Sequence, residues 1–436
     1  MVKKLGLGLV IMALLALAWT RIPQVQSATQ KQEDLIEKAS GFIDDKAYVT
    51  AIELLEQAIT YRTDKSVEAE EMLKMAYLAA GDYDRSYTAL LAKQMSAINA
   101  PAQVFREAAD YYLEREKLGD ALSVLKDGVK KTGDSELIRL YEQERYVYTE
   151  AKTTFEYVTD FYGGYIQVQR GGLWGIANRF GKPLLPCEYE KVSTFSDGRA
   201  IVMLDGEIYA VNNMNKRTAL LKGENAVDFG NPAQNRLAIK LANGSWKRAT
   251  PDFAFGTTEF DEIGTYSEGY AAVKQNGKWG VINIAGDYFI RAEHDEIILD
   301  SLGRCYGQKA VFLKDGGIVS LYVDGKKIEN ISFDDAHPFN ADGYAAIKQN
   351  GKWGFVNTSG EIVIEPSYEQ ALSFNGHLAA VEQDGLWGYL AKTGSFGIEP
   401  QFLDARSFSE GNAPVLTESG WVIISLVEFA KGVGLL

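Results

Sequence analysis

The sequence predicts a chain in two parts, α-helical first and all-β after, because composition, periodicity and internal repetition all change near residue 150. Residues 28 to about 150 are rich in Ala, Leu, Glu and Lys, with apolar residues at helical spacing and one proline, Pro101. Gly, aromatic and β-branched residues dominate from 151 to 436, and a Trp-Gly pair or its equivalent returns there eight times. Repetition at an interval of a few tens of residues marks stacked or ringed supersecondary units.

Ahead of both parts, Lys3-Lys4 precede an apolar run from Leu5 to Trp19 that Arg21 closes. Small and polar residues, Val25-Gln26-Ser27, then stand before Ala28. A basic start, an apolar core of about 7–15 residues and a small-residue cut site define a secretory signal. Residues 1–27 are therefore expected to be a signal peptide or an uncut signal-anchor. The bulk of the chain is then extracytoplasmic, and any membrane contact runs through this segment alone.

The net charge is −14, and removing Lys3, Lys4 and Arg21 takes it to −17. No basic run of five residues occurs, which argues against a nucleic-acid partner, since backbone-driven binding needs clustered cations. Cys187 and Cys305 match no metal-ligand spacing. They are read as buried thiols or, in an exported setting, as a disulfide.

In the helical part, Leu35, Ile36, Ala39, Phe42 and Ile43 lead into Ala47, Ala51, Leu54, Leu55 and Ala58 at the spacing of an amphipathic helix. Turn signals fall at Asp44-Asp45, Gly81-Asp82, Leu118-Gly119 and Thr132-Gly133. Tyr48–Leu55, Tyr83–Leu90 and Leu118–Leu125 align with small residues Ala51, Ser86 and Ala121, each 35 positions from the next. A small residue there lets two antiparallel helices approach closely. This pattern resembles the tetratricopeptide repeat, with three units and Ser135–Tyr148 as a capping helix. The resemblance implies a concave groove for a peptide or partner helix; the alternative is a helical spacer.

In the β part, the recurring positions are Trp174, Ile208, Trp246, Trp279, Ile318, Trp353, Trp387 and Trp421, at intervals of 34, 38, 33, 39, 35, 34 and 34 residues. One unit reads as Leu378–Gln383 for a strand, Asp384-Gly385 for a hairpin turn with positive φ, and Trp387–Ala391 for the return strand. Thr393-Gly394 turns again into a third strand, Phe396–Pro400, which the proline ends. The signature residues Trp174, Gly175, Trp246, Trp279, Gly280, Trp353, Gly354, Trp387, Gly388 and Trp421 are expected to be structural. A large ring packs on the neighbouring unit, and the glycine beside it leaves room.

Trp279-Gly-Val-Ile-Asn283-Ile-Ala-Gly286 and Trp353-Gly-Phe-Val-Asn357-Thr-Ser-Gly360 resemble the WG (KWG) repeat family most fully. Ile208-Tyr209 and Ile318-Val319 lack both signature residues, and Trp246 is followed by Lys247. The resemblance implies a binding or surface role and carries no catalytic residues. Eight such units close as a propeller or stack as an open array. Closure is favoured because it removes exposed edges, with Phe155-Glu-Tyr-Val completing the last unit.

Chemistry is sparse. His294, His337 and His377 fall in different units without a partner at metal-site spacing, and no catalytic, phosphate-loop or dinucleotide motif occurs. No metal, cofactor or catalytic residue is therefore expected. Acidic residues recur where units begin, at Glu188, Glu190, Asp261, Glu262, Asp295, Glu296, Asp334, Asp335, Glu369 and Asp404. They are either repeated turn residues or a carboxylate ring able to hold a cation or act on a sugar. The functional expectation is an exported, non-catalytic interaction protein with a protein or peptide partner. The alternative is a surface glycan-binding or glycan-cleaving protein.

Overall fold

The computed structural model describes residues 28–222 and 225–430; the segment 1–27, expected to be a signal peptide or signal-anchor, lies outside them. The chain divides into a helical unit ending at Tyr141 and a β unit beginning at Glu142, so the expected boundary at 150 falls inside the β unit.

The helical unit runs through α1 (28–44), α2 (Tyr48–Ala58), α3 (Ser66–Ala80), α4 (Asp84–Met95), α5 (Ala102–Leu113) and α6 (Leu118–Thr132), and α7 (Ser135–Glu144) begins in it. Gly81 and Gly133 end α3 and α6 in the left-handed region, where a side chain is costly. The 35-residue equivalence holds in the buried faces. Ala51, Ile52 and Leu55 of α2 match Ala121, Leu122 and Leu125 of α6, all at most 2% exposed. In α4 the matching Tyr87 and Leu90 are buried, but Ser86 is only half-buried. Lys74 of α3 is buried yet bridges to Glu107 of α5 at 2.5 Å and to Glu71 at 2.8 Å, which offsets its desolvation. Two expectations shift. The break placed at Leu118-Gly119 comes earlier, because Gly119 sits in the first turn of α6. The capping helix stops at Glu144, and Tyr148 is already in a strand.

The β unit is an eight-bladed propeller: eight four-stranded antiparallel sheets among the described residues, each a simple meander of strands a to d. Blades 1 to 7 span 157–189, 191–220, 226–260, 262–294, 296–327, 335–368 and 370–402, and blade 8 begins at 404. Blade 7 has a at Gln370–Ala371, b at Leu378–Gln383, c at Leu386–Ala391 and d at Phe396–Phe402. Its b–c hairpin turns on Asp384 and Gly385 at φ 54° and 77°, as the Asp-Gly pair predicts. Strand d does not end at Pro400. An outer strand has no neighbour to receive a proline's missing N–H, and the pairing of c with d shifts register between Trp387 and Tyr389.

Ring closure is made by residues that the sequence assigns to the helical half. Tyr148–Glu150 forms strand d of blade 8, pairing Tyr148 with Leu426, Thr149 with Ser425 and Glu150 with Ile424. Phe155, expected to open the closing strand, makes a separate bridge to Trp421, its N–H donating to the Trp421 carbonyl at 2.9 Å. Phe155, Val158 and Ile166 of the first blade then share one apolar cluster with Trp421 and Ile423 of the last. Blades 2 and 5 form without either signature residue, since Ile208 and, in register with Trp279, Val319 keep a buried apolar residue on strand c, whereas Ile318 is exposed.

Candidate binding site on the propeller axis

The signature tryptophans pack within the propeller, and the glycines beside them differ in part from expectation. Trp279 packs among Ile297, Tyr306 and Leu313 of the next blade, and Trp353 among Ala371, Phe374 and Val381 of its next. Trp421 does the same across the closing seam. Trp174, Trp246 and Trp387 are half-buried against the corresponding clusters. The glycine, however, makes room for backbone and not for a ring. A Cβ on Gly354 would lie 2.6 Å from the Ile364 carbonyl oxygen and from the Pro366 nitrogen, both in strand d of the same blade. Gly175, Gly280 and Gly388 meet the same obstruction at 2.6–2.7 Å.

Three of the repeated carboxylates, joined by Glu156, cap hairpins. Glu156, Asp261, Asp295 and Glu369 stand at the start of strand a and accept the N–H of a b–c turn glycine: Gly171 at 2.9 Å, Gly277 at 2.7 Å, Gly316 at 2.9 Å and Gly385 at 3.1 Å. Lys278 and the Gly316 N–H hold the Asp295 carboxyl below its ordinary value, and the Gly171 and Gly172 N–H groups do so for Glu156. Asp335 and Asp404 turn to their own neighbours, accepting from the N–H of Ala336 and Ala405. No group of three His, Cys, Asp or Glu suited to a metal ion forms among the described residues. Of the carboxylates expected to form a ring, Asp261, Asp295 and Glu369 thus cap turns, while Glu188 accepts from Asn215 Nδ2 at 3.0 Å and Glu296 pairs with Lys314 at 3.2 Å. Cys187 and Cys305 are both free, and burial pushes the Cys305 thiol up to about 12.

These caps also orient the molecule. Starts of strand a and b–c turns share one end of every blade, the hairpin face. The a–b loops lie at the other end of strand b. Blades 1 and 7 join a to b with six residues (159–164 and 372–377), but blade 5 uses twelve (298–309). The extra chain crosses the axis. Leu302 and Gly303 carbonyls accept from Thr265 Oγ1 at 2.6 Å and Thr265 N at 2.7 Å, in blade 4. Asn231 Nδ2 of blade 3 donates to the Leu302 carbonyl at 3.1 Å. Ser301 Oγ donates to Asp160 of blade 1, which also accepts the Ser407 N–H of blade 8 at 3.0 Å. In a ring of eight, blades 5 and 1 face each other, so the loop plugs the channel.

Two cavities meet this plug. One, of about 300 Å³, opens among the a–b loops and is lined by Tyr162, Glu268, Asp300, Arg304, Asn340 and Asn375 among others. The second, of about 390 Å³, holds Trp174, Glu190, Lys191, Asn231 and Ser301. The helical unit has its own cleft of about 350 Å³, with Glu33, Glu37 and Glu68 around Lys65. Of the signature residues, Trp174 lines the second of these cavities.

His337 lies close to the plug, its ring stacked on Trp353 at 4.9 Å between centroids. Burial pushes its pKa down, against the pull of Asp335, Asp160 and Asp300. The folded state therefore resists imidazolium, while the unfolded chain protonates near pH 6.5. Stability from this group is fully present above that value and declines as pH falls through it. The melting temperature is expected to drop between about pH 7.5 and about pH 5.5, and less steeply for His337→Phe. Equal slopes would show that other groups govern this range.

The WG containing repeat family matches residues 151–174, 174–207, 258–279, 324–353, 353–387 and 387–421. The stretches between, 208–257 and 280–323, contain the departures at Trp246-Lys247 and Ile318-Val319 together with the plug. No curated protein matches the chain significantly. Similar solved structures include the computationally designed Ika8 protein, at 11% identity and a TM-score of 0.42, covering 64% of this chain and 98% of that one. BamB from Moraxella catarrhalis shows 10% identity and a TM-score of 0.42, over 64% and 100%. Kluyveromyces lactis Hsv2 shows 8% and 0.37, over 64% and 100%. Likenesses this distant leave the binding surfaces unassigned. The repeat match is thus confined to six stretches between residues 151 and 421, all within the β unit that forms the propeller.

Proposed function

We propose that this chain is an exported, non-catalytic interaction protein that docks a protein partner on the hairpin face of blades 7, 8 and 1. The observation that carries the reading is a break in the repeat. The N–H of Glu156, Asp261 and Glu369 each donates to a carbonyl of its strand b, and in blade 8 the same bond is made by Leu403, to Leu416. Where those blades carry a capping carboxylate, blade 8 presents a leucine that is 52% exposed. Tyr157 of blade 1, where blade 4 has Glu262, is 44% exposed and stands edge-on to Trp174 at 5.8 Å. Leu173 and Leu386, just after the hairpin turns of blades 1 and 7, extend the apolar surface. Exposed apolar residues clustered on an acidic protein mark an interaction site.

Export rests on the Lys3-Lys4 and Leu5–Trp19 pattern, and a second, peptide-binding role for the helical unit rests on its tetratricopeptide-like spacing. The test is retention from native envelope extract by the full chain and by a Tyr157→Ser, Leu403→Glu double variant. A protein held by the first and lost by the second, with both equally folded, supports the reading. Equal retention removes the patch from it, and retention of carbohydrate alone would favour the glycan alternative.

A further inference from the structure

We infer that the cavity among the a–b loops binds a carboxylate, held by Arg304. The plug that carries Arg304 has no counterpart in the six-residue loops of blades 1 and 7, so repetition of the fold does not account for it. Within the loop, Asp300 Oδ1 accepts the N–H of Leu302 at 3.0 Å and of Arg304 at 2.8 Å, while its Oδ2 accepts Arg304 Nε at 2.6 Å. That carboxylate is committed on both oxygens. It fixes the guanidinium by one edge and leaves the two terminal nitrogens without a hydrogen-bond partner among the described residues. The Arg304 side chain is 24% exposed and lines the cavity.

The surroundings are also uncommitted. The side chains of Asn340, Asn375 and Ser409 and the Tyr162 hydroxyl, all lining the cavity, make no hydrogen bond among the described residues. Glu268 stands at the rim and is already used, accepting from Gln308 N at 3.0 Å and Lys309 N at 3.4 Å. A planar fork of two charged donors, with amide and hydroxyl donors around it, matches a carboxylate oxygen pair better than a cation or an apolar group. The loop is anchored from blades 1, 3 and 4, so little ordering cost falls on binding. About 300 Å³ suits a compact organic acid or the last residues of a peptide. The cavity lies at the opposite blade ends from the Tyr157–Leu403 surface and stands independently of it.

Two probes separate the sources of the carboxylate: succinate for a free acid, and triglycine with a free or an amidated C-terminus for a peptide end. Binding to the full chain is read by calorimetry and by the rise in melting temperature. At least one free carboxylate is expected to bind with a Kd below about 1 mM, and Arg304→Gln is expected to weaken it at least tenfold. Asn375→Asp, which leaves the plug untouched and places a negative charge in the cavity, is expected to weaken it comparably. It serves as the test if Arg304→Gln does not fold. Succinate binding alone assigns a free acid. Binding of free but not amidated triglycine assigns a peptide C-terminus. No binding by either probe, or binding unchanged in the folded variants, overturns the inference.

Discussion

Gly354→Ala is expected to destabilise the β unit by about 3 kcal/mol, at the top of the range for forcing a methyl group into packed structure. The added Cβ would stand 2.6 Å from backbone atoms of Ile364 and Pro366. A flexible side chain could swing aside, but a strand held in a ladder cannot. Gly351, three residues earlier in the hairpin turn, is the control. Its φ is +79° and nothing lies within 4 Å of its added Cβ. Alanine there meets only left-handed strain, about 1 kcal/mol. Thermal unfolding of both variants should show the larger loss at the extended glycine, roughly 5–10 °C. Equal losses would mean that strand d shifts outward at little cost.

A fragment beginning at Ala151 is expected to melt at least roughly 10 °C below one beginning at Glu142. The shorter fragment lacks Tyr148–Glu150 and so leaves the Ile424–Leu426 end of the strand Gly420–Leu426 without its outer partner. It also lacks Tyr148, whose ring stands 6.1 Å from Phe402, and Tyr146, which lies against Gly397. Two lost tyrosine contacts and a lost strand amount to about 5 kcal/mol. The open edge should also make the shorter fragment self-associate, which sedimentation would detect. Coincident melting of two monomeric fragments would mean that the bridge from Phe155 to Trp421 suffices for closure.

The contrast between these regions shows how far the sequence can be read. Blades were legible because Trp279 and Trp353, with the Asn-Gly turns before them, force the same strand-turn-strand each time. Blades 2 and 5 followed from spacing alone. The plug left a trace as well, in the 39 residues from Trp279 to Ile318, the longest interval in the series. An interval cannot say where its surplus goes, and placing it on the axis requires the hydrogen bonds from Thr265, Asn231 and Asp160. Arg304 was passed over for that reason, since the anchors of its loop come from blades 1, 3 and 4 and share no motif. The carboxylates posed the opposite difficulty. Their recurrence was plain, but whether they converge on a ligand or each cap a turn depends on distances of a few ångströms.

The closing strand has a consequence for how the chain is made. Thr149 pairs with Ser425, 276 positions further along. At about 5–20 residues per second, synthesis separates the two by roughly 15–55 s. Until then seven blades have formed or are forming, while the eighth waits for an outer strand that emerged first. The nascent chain therefore carries an unmatched segment throughout its production, and a handler that shields residues 148–150 until release would set the yield of native protein.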